Sequence, residues 1–365
     1  MTLRVDPGSL TRYGGQVFRA AGDARAGNDH LAKYGHADDS GGWLFNQLFD
    51  AHQRAVTAVE GVLDRIATVA EAGQTGLDQA ARYYQSTDAT AAASFDATLP
   101  LSPCLTGSTL EAKVDGLACP PPPFADWRHP RDHLEEPDVP EEPGGFASNP
   151  LAFLETLSVS GMLMYALKEV FGFDPIEALV SQLLGDWEKL YECGVVMHNL
   201  AELCGDIAVN VDQGARDLDS VWNGNAGDAA VLYFKRFADS IDGLTGPLGK
   251  LRDYHQQAAQ AAWQAAEGVK AWISALIDEA IVAAALMAAG SALIETGVGT
   301  LVCYGGAALV IAAMYEDYEA AMKVIHACYN TILLLVGLVG DVISQIEGLP
   351  RMDVVTGTYH PAVAK

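Results

Sequence analysis

The chain has 365 residues, half of them hydrophobic, only 8% aromatic, with a formal net charge of −25. So much apolar content excludes global disorder, and the length exceeds one ordinary core, so two domains are expected. The acidic field repels phosphate backbones and anionic lipid head groups, which argues against a nucleic acid partner; solubility is the plain reason for it.

Alanine and glycine are abundant, a mix that suits closely packed helices better than β-sandwiches. Met1 to Gly8 read MTLRVDPG with no apolar run after them. No ordinary signal peptide is expected, and export would need another route.

Asp6-Pro7 reads as a helix start, an acceptor at the cap followed by a residue with no amide hydrogen. Leu10, Val17, Ala24 and Leu31 then return every seven residues, one seam along one helix face. Small and turn-forming residues from Gly35 to Gly42 break the pattern. A second helix follows, with Val56, Val59, Leu63, Ile66, Ala70, Gly73, Leu77, Ala80 and Tyr84 at alternating three- and four-residue steps. A strand would scatter those side chains over both faces. Two such helices across a short turn are expected to pack antiparallel.

Residues 97–150 hold 11 of the 16 prolines, including Pro120 to Pro123. Proline removes donors and fixes φ, so an extended, solvated connector is expected here. Cys104 and Cys119 lie in it and could close a loop, worth roughly 3 kcal/mol by chain entropy. His129, Asp132, His133 and Glu136 have metal-ligating chemistry, but nothing nearby would fix their geometry, and they read as a solvated charge cluster. The four cysteines outside the linker read as buried small hydrophobes.

Leu151 to Val170 reads as helical, and Asp174-Pro175 as another helix start. From Cys193 a seam runs through Met197, Leu200, Cys204, Ile207, Val211, Gly214 and Leu218 to Trp222. Trp222-Asn223-Gly224-Asn225 then forms a turn. Beyond it a second seam runs from Ala230 through Phe234, Phe237, Ile241, Leu244, Leu248, Leu251, His255 and Ala258 to Ala262. Two seams across one tight turn spell an antiparallel helical hairpin. Pro247, between Gly246 and Gly249, is expected to kink its second helix, and His255 reads as a satisfied core histidine rather than a pH sensor.

Ala280 to Met314 carries one charge, Glu295, and reads as two helices, Ala280–Ile294 and about Gly297–Met314. At about 1.5 Å per residue they reach roughly 22 and 27 Å, against a bilayer core of about 30 Å. A buried helical core is the favoured reading, and a latent membrane hairpin the competing one. A further apolar run, Ile332 to Val339, lies near the end.

No nucleophile elbow, P-loop, HExxH or CxxC is present, and no Ser/His/Asp set emerges from spacing. The chain therefore reads as a non-enzyme with no cofactor and no metal. The expected fold is all-α. It comprises a helical hairpin (1–96), a Pro-rich and largely irregular linker (97–150), a second hairpin with hydrophobic helices (151–349) and a tail (350–365).

Asp6-Pro7, the Leu10 to Leu31 seam, the Gly-rich turn and the Ala-rich helix ending in Tyr84-Gln85-Ser86-Thr87-Asp88 resemble one family. It is the EspC-like, ESX secretion-associated family of type VII secretion targets, and the likeness covers roughly residues 1–96. Y-x-x-x-[DE] occurs four times, starting at Tyr34, Tyr84, Tyr165 and Tyr315, but only Tyr84 sits at the end of a hairpin. The second hairpin resembles the WXG family of the same pathway through Trp222-Asn223-Gly224. The apolar helices after it are similar to those of EspA-type substrates, a likeness over about residues 186–340. The first hairpin departs from the WXG pattern, with glycine before tryptophan at Gly42-Trp43.

The resemblance implies Tyr84, Asp88, Trp222 and Gly224 as a secretion signal or recognition site. Trp222 reads equally as a staple closing the hairpin core, and Tyr84/Asp88 as an i, i+4 helix contact. The two segments are expected to meet if the hairpins pack together. The implied partner is the type VII machinery or a chaperone, with another helical substrate or a second copy as further candidates. The protein would be cytoplasmic before export and then secreted or at the cell surface. The alternative is a pore-forming secreted effector inserting residues 280–340 into a membrane.

Overall fold

A computed structural model of the chain describes residues 3–38, 42–87, 89–98, 120–138, 161–292 and 298–349. Helix α1 (Pro7–Tyr34) starts where the sequence placed it, with the Asp6 carboxylate accepting from Gly8 N at 3.3 Å and from Ser9 Oγ at 2.6 Å. Its seam, Leu10, Val17, Ala24 and Leu31, is fully buried. Helix α2 (Trp43–Ser86) runs back antiparallel to it. Arg25 pairs with Glu71 and Asn28 Nδ2 donates to Asp64 at 2.6 Å, so rising numbers on one helix meet falling numbers on the other. A short helix α3 (Ala89–Asp96) follows.

The second half begins with α4 (Gly161–Phe171) and α5 (Pro175–Leu183), the latter capped by Asp174, whose carboxylate accepts from Glu177 N at 3.0 Å. Helix α6 (Trp187–Asp219) packs antiparallel to α7 (Asn225–Asp242) and to the start of α8 (Thr245–Ala292). Pro247 does not kink one long helix. The helix breaks at Gly243-Leu244, and Pro247 lies in the first turn of α8, where its missing amide hydrogen costs nothing. Helix α9 (Val298–Gly348) returns antiparallel along the whole of α8. Lys250 Nζ donates to Gln345 at 3.0 Å near one end, and Gly306 faces Leu286 near the other.

The two hairpins share one hydrophobic core. Helix α1 lies on α6 and α2 on α9, so the seams that the sequence places on separate rods face each other in one bundle. Tyr13 marks the joint. It is fully buried, its ring meets Phe234 edge-on at 4.9 Å, and its hydroxyl donates to Val211 O at 3.1 Å. Cys193 and Cys204 are buried in the same core, and burial pushes both thiols up to about 12. They are unreactive packing groups, as the sequence suggested.

Two further expectations are corrected by the packing. Over residues 120–138 the connector is largely exposed, as expected, but it is not free: it is strapped across α1 and α6. Phe124, at φ 53°, is buried against Tyr13. Asn210 Oδ1 accepts from Trp127 N at 2.8 Å and Arg128 N at 2.9 Å, while its Nδ2 donates to Arg128 O at 3.0 Å. Arg19 pairs with Asp126 at 2.5 Å, Arg131 with Asp23 at 2.6 Å and His133 with Asp206 at 3.0 Å. A proline-rich segment is already extended, so polar groups on two helices can bind its backbone at low entropic cost. His133 is therefore held by a hydrogen bond to Asp206 of α6 rather than standing in a solvated cluster. Among the described residues no three His, Cys, Asp or Glu side chains are placed to hold a metal.

The apolar block is also not a buried core. Its helices are the outer parts of α8 and α9, which run on past the bundle. Val302 and Leu309 are 70% and 75% exposed, with Ile281 and Val282 open on the facing helix. Helix α4 meets α9 at Tyr315 and Tyr318, where Phe171 lies 4.6 and 5.4 Å from the two rings.

Candidate functional site

Four helix ends converge at one tip of the bundle: the start of α1, the end of α2, the end of α6 and the start of α7. A two-residue antiparallel ladder that the sequence did not announce ties them together. Arg4 and Val5 pair with Asn223 and Trp222, and Asp6 N donates to Val221 O at 3.0 Å. Strands this short carry no alternation pattern, so nothing in the sequence could have revealed them.

Tyr84 and Trp222, remote in sequence, meet here with ring centroids 5.8 Å apart, edge to face. Trp222 is only 5% exposed and packs into the core as a staple. Tyr84 is half-buried and remains partly open to solvent at the tip. Burial pushes its hydroxyl up to about 12, with the Trp222 indole acting the other way and the Asp96 carboxylate reinforcing the rise. Tyr83 extends the aromatic patch, 5.5 Å from Tyr84 and 6.3 Å from Phe95. Asp88 lies outside the described residues, as do Cys104 and Cys119.

Gly224 is the N-cap of α7 at φ 125°, ψ 173°, a conformation that L side chains avoid. A Cβ there would also lie 2.9 Å from the Asp96 carboxylate and 3.0 Å from Leu3. The tryptophan-x-glycine pattern thus has a local cause: the tryptophan closes the core and the glycine lets the backbone turn under it. With no side chain at the cap, α7 takes its capping acceptor from Asp96. Its carboxylate oxygens accept from Asn225 N at 3.1 Å and Ala226 N at 3.0 Å, and Asn225 Nδ2 donates to its backbone carbonyl at 3.2 Å. Sequence reasoning missed Asp96, because a cap supplied from 129 residues away leaves no local signature.

Trp43, of the reversed Gly42-Trp43 pair, lies at the opposite end of the bundle. It stacks on Tyr329 of α9 with centroids 4.3 Å apart. It has no part in the tip.

No curated protein and no solved structure matches the chain. Residues 1–97, which comprise α1, α2, α3 and the strand that precedes them, match the family model described as excreted virulence factor EspC, type VII ESX diderm.

Proposed function

We propose that this protein is a non-enzymatic substrate, or co-secreted factor, of a type VII (ESX) secretion system, and that the convergent tip bearing Tyr84 is read by the export machinery or its chaperone. The observation that carries the reading is the family match over residues 1–97, whose far end is the half-open Tyr84 beside Trp222. A partly exposed aromatic patch on a rigid bundle end is a sound anchor for a docking partner. The hairpin of α1 and α2 finds its packing partner within the same chain, so a separate helical partner is not needed to cover its seam. The protein is cytoplasmic before export and outside the cell after it.

The test is export of the Tyr84→Ala variant, read by immunoblot of culture medium and cells, in strains with and without the type VII ATPase. The variant is expected to remain in the cells. Its melting should stay cooperative, because Tyr84 lies at the rim of the core. Normal export of a folded Tyr84→Ala protein would overturn the assignment.

A second reading rests on a different observation, the exposed outer hairpin. Residues 280–292 of α8 and 298–315 of α9 carry no charged side chain. They reach roughly 20 and 27 Å, close to the thickness of a bilayer core. Just inboard lie Asp278 and Glu279 on α8 and Glu316, Asp317 and Glu319 on α9. Burial and the neighbouring Asp317 raise the Glu279 carboxyl above its usual range, so acidification removes charge from this collar early. After export the hairpin would enter a membrane up to the collar. Purified protein is expected to release dye from liposomes more strongly at pH 5 than at pH 7, and Leu309→Asp to suppress the release. Liposomes that stay intact across that range would exclude insertion.

A further inference from the structure

Helix α3 follows closely on the Tyr84 segment, and its last residue is committed to the other hairpin. Asp96 is 9% exposed, and its carboxylate and carbonyl accept from Asn225 and Ala226 in the turn of the other hairpin. Ala92, one turn earlier, is buried, and Phe95 leans toward Tyr83. Helix α3 thus closes on α7 through a carboxylate that holds two amide hydrogens at once. The geometry of the receiving turn matches this: Gly224 has no side chain to compete, and any Cβ there would press on the carboxylate.

We propose that Asp96 is the positioning residue of the recognition tip, a clasp that locks the Tyr84 segment onto the Trp222 turn so that the surface exists only in the folded bundle. The proposal rests on the type VII reading of Tyr84 and deepens it. Asp96 itself need not touch the machinery. Its charge complements the N-terminal end of α7, and charge-assisted bonds to backbone amides are among the stronger ones available to a cap. Losing it frees α3 and leaves Asn225 N and Ala226 N without their acceptor. The Tyr84–Trp222 ring contact remains, without the cap that backs it.

The test compares five full-length variants in an exporting strain: Asp96→Ala, Asp96→Asn, Tyr84→Ala, Tyr84→Ala/Asp96→Ala and Asp174→Ala. Asp174 caps α5 with the same chemistry, far from the tip, and so controls for the general cost of losing a cap. Export of Asp96→Ala is expected to fall about tenfold, the factor expected when one good cap is lost at a site that must be formed for binding. Asp96→Asn keeps one of the two acceptor oxygens but turns an amide donor toward the other N–H, and is expected to recover the export only in part. Asp174→Ala should be exported as wild type. The double variant Tyr84→Ala/Asp96→Ala should be no worse than Tyr84→Ala, since both act on one surface. If Asp96→Ala is exported normally while Tyr84→Ala is retained, the signal is linear and the clasp is wrong. If Asp174→Ala is retained as strongly as Asp96→Ala, the effect is stability and the clasp is again wrong. Normal export of Tyr84→Ala overturns the underlying reading, and the clasp with it.

Discussion

Lowering the pH from 7 to 5 is expected to cost the folded chain about 2 kcal/mol of stability through His52 alone. His52 on α2 and His255 on α8 meet inside the core, with His52 Nδ1 2.9 Å from His255 Nε2. His255 Nδ1 donates to Leu251 O at 2.6 Å. That bond fixes the tautomer: His255 Nε2 bears a lone pair, and His52 Nδ1–H donates to it. His52 Nε2 is left buried without a hydrogen-bond partner. A proton added anywhere on this pair places a charge in an apolar bundle. Burial first, then the charge of His255 and of His36, lower the His52 imidazole to about 3, and burial lowers His255 in the same direction.

Both histidines bind protons more weakly folded than unfolded. Their contribution is complete above the unfolded value near 6.5 and is lost as the pH falls toward 3. Asp23 and Asp217 act in the opposite sense, because burial raises their carboxyls and the folded state then takes up protons more readily. The measurement must therefore be a difference. Urea denaturation at pH 7 and pH 5, for wild type and for His52→Leu/His255→Leu, should show a smaller acid loss in the double variant by at least 2 kcal/mol, roughly the His52 term. Equal losses in the two proteins would mean that the pair is not neutral in the core.

Replacing Gly214 with leucine should be strongly damaging, because it forces apart the two hairpins. Helix α6 passes so close to α1 here that a Cβ on Gly214 would lie 2.4 Å from the Tyr13 ring and 2.3 Å from Gln16 Oε1. Tyr13 cannot retreat. Phe234 and Phe124 flank its ring, and its hydroxyl is held by Val211 O. Alanine relieves the helix of its glycine by about 1 kcal/mol but forces the ring aside, and overpacking costs of order 1–3 kcal/mol, so a modest net loss is expected. Leucine adds three more carbons with no room, and should cost more than about 3 kcal/mol or prevent docking of the two hairpins. Gly61→Ala is the control: nothing lies within 4 Å of its Cβ position, and helix propensity alone should make it neutral or stabilising. Thermal melts of the three variants check the order. A Gly214→Leu protein as stable as wild type would show that α1 and α6 are not packed as described.

The helices were legible because their apolar residues repeat at the helical period. Leu10 to Leu31, Val56 to Ala80 and Cys193 to Trp222 point inward as that spacing requires, and Asp6-Pro7 and Asp174-Pro175 start helices because capping is a local interaction. Tyr84 and Trp222 were legible as residues at rod ends, and Gly224 as a turn residue.

Periodicity alone also specifies that two hairpins exist, because each seam is written within its own stretch of chain. It could not decide how they assemble, because a seam says which face is apolar and not which other seam covers it. The pairing of α1 with α6, the proline-rich strap on Asn210, the His52–His255 contact and the Asp96 cap on α7 all join residues more than 80 positions apart. Such contacts depend on side-chain shape and on where each rod ends. The same holds for the outer halves of α8 and α9: their composition is apolar in either case, and only the length by which they overrun the bundle leaves them bare.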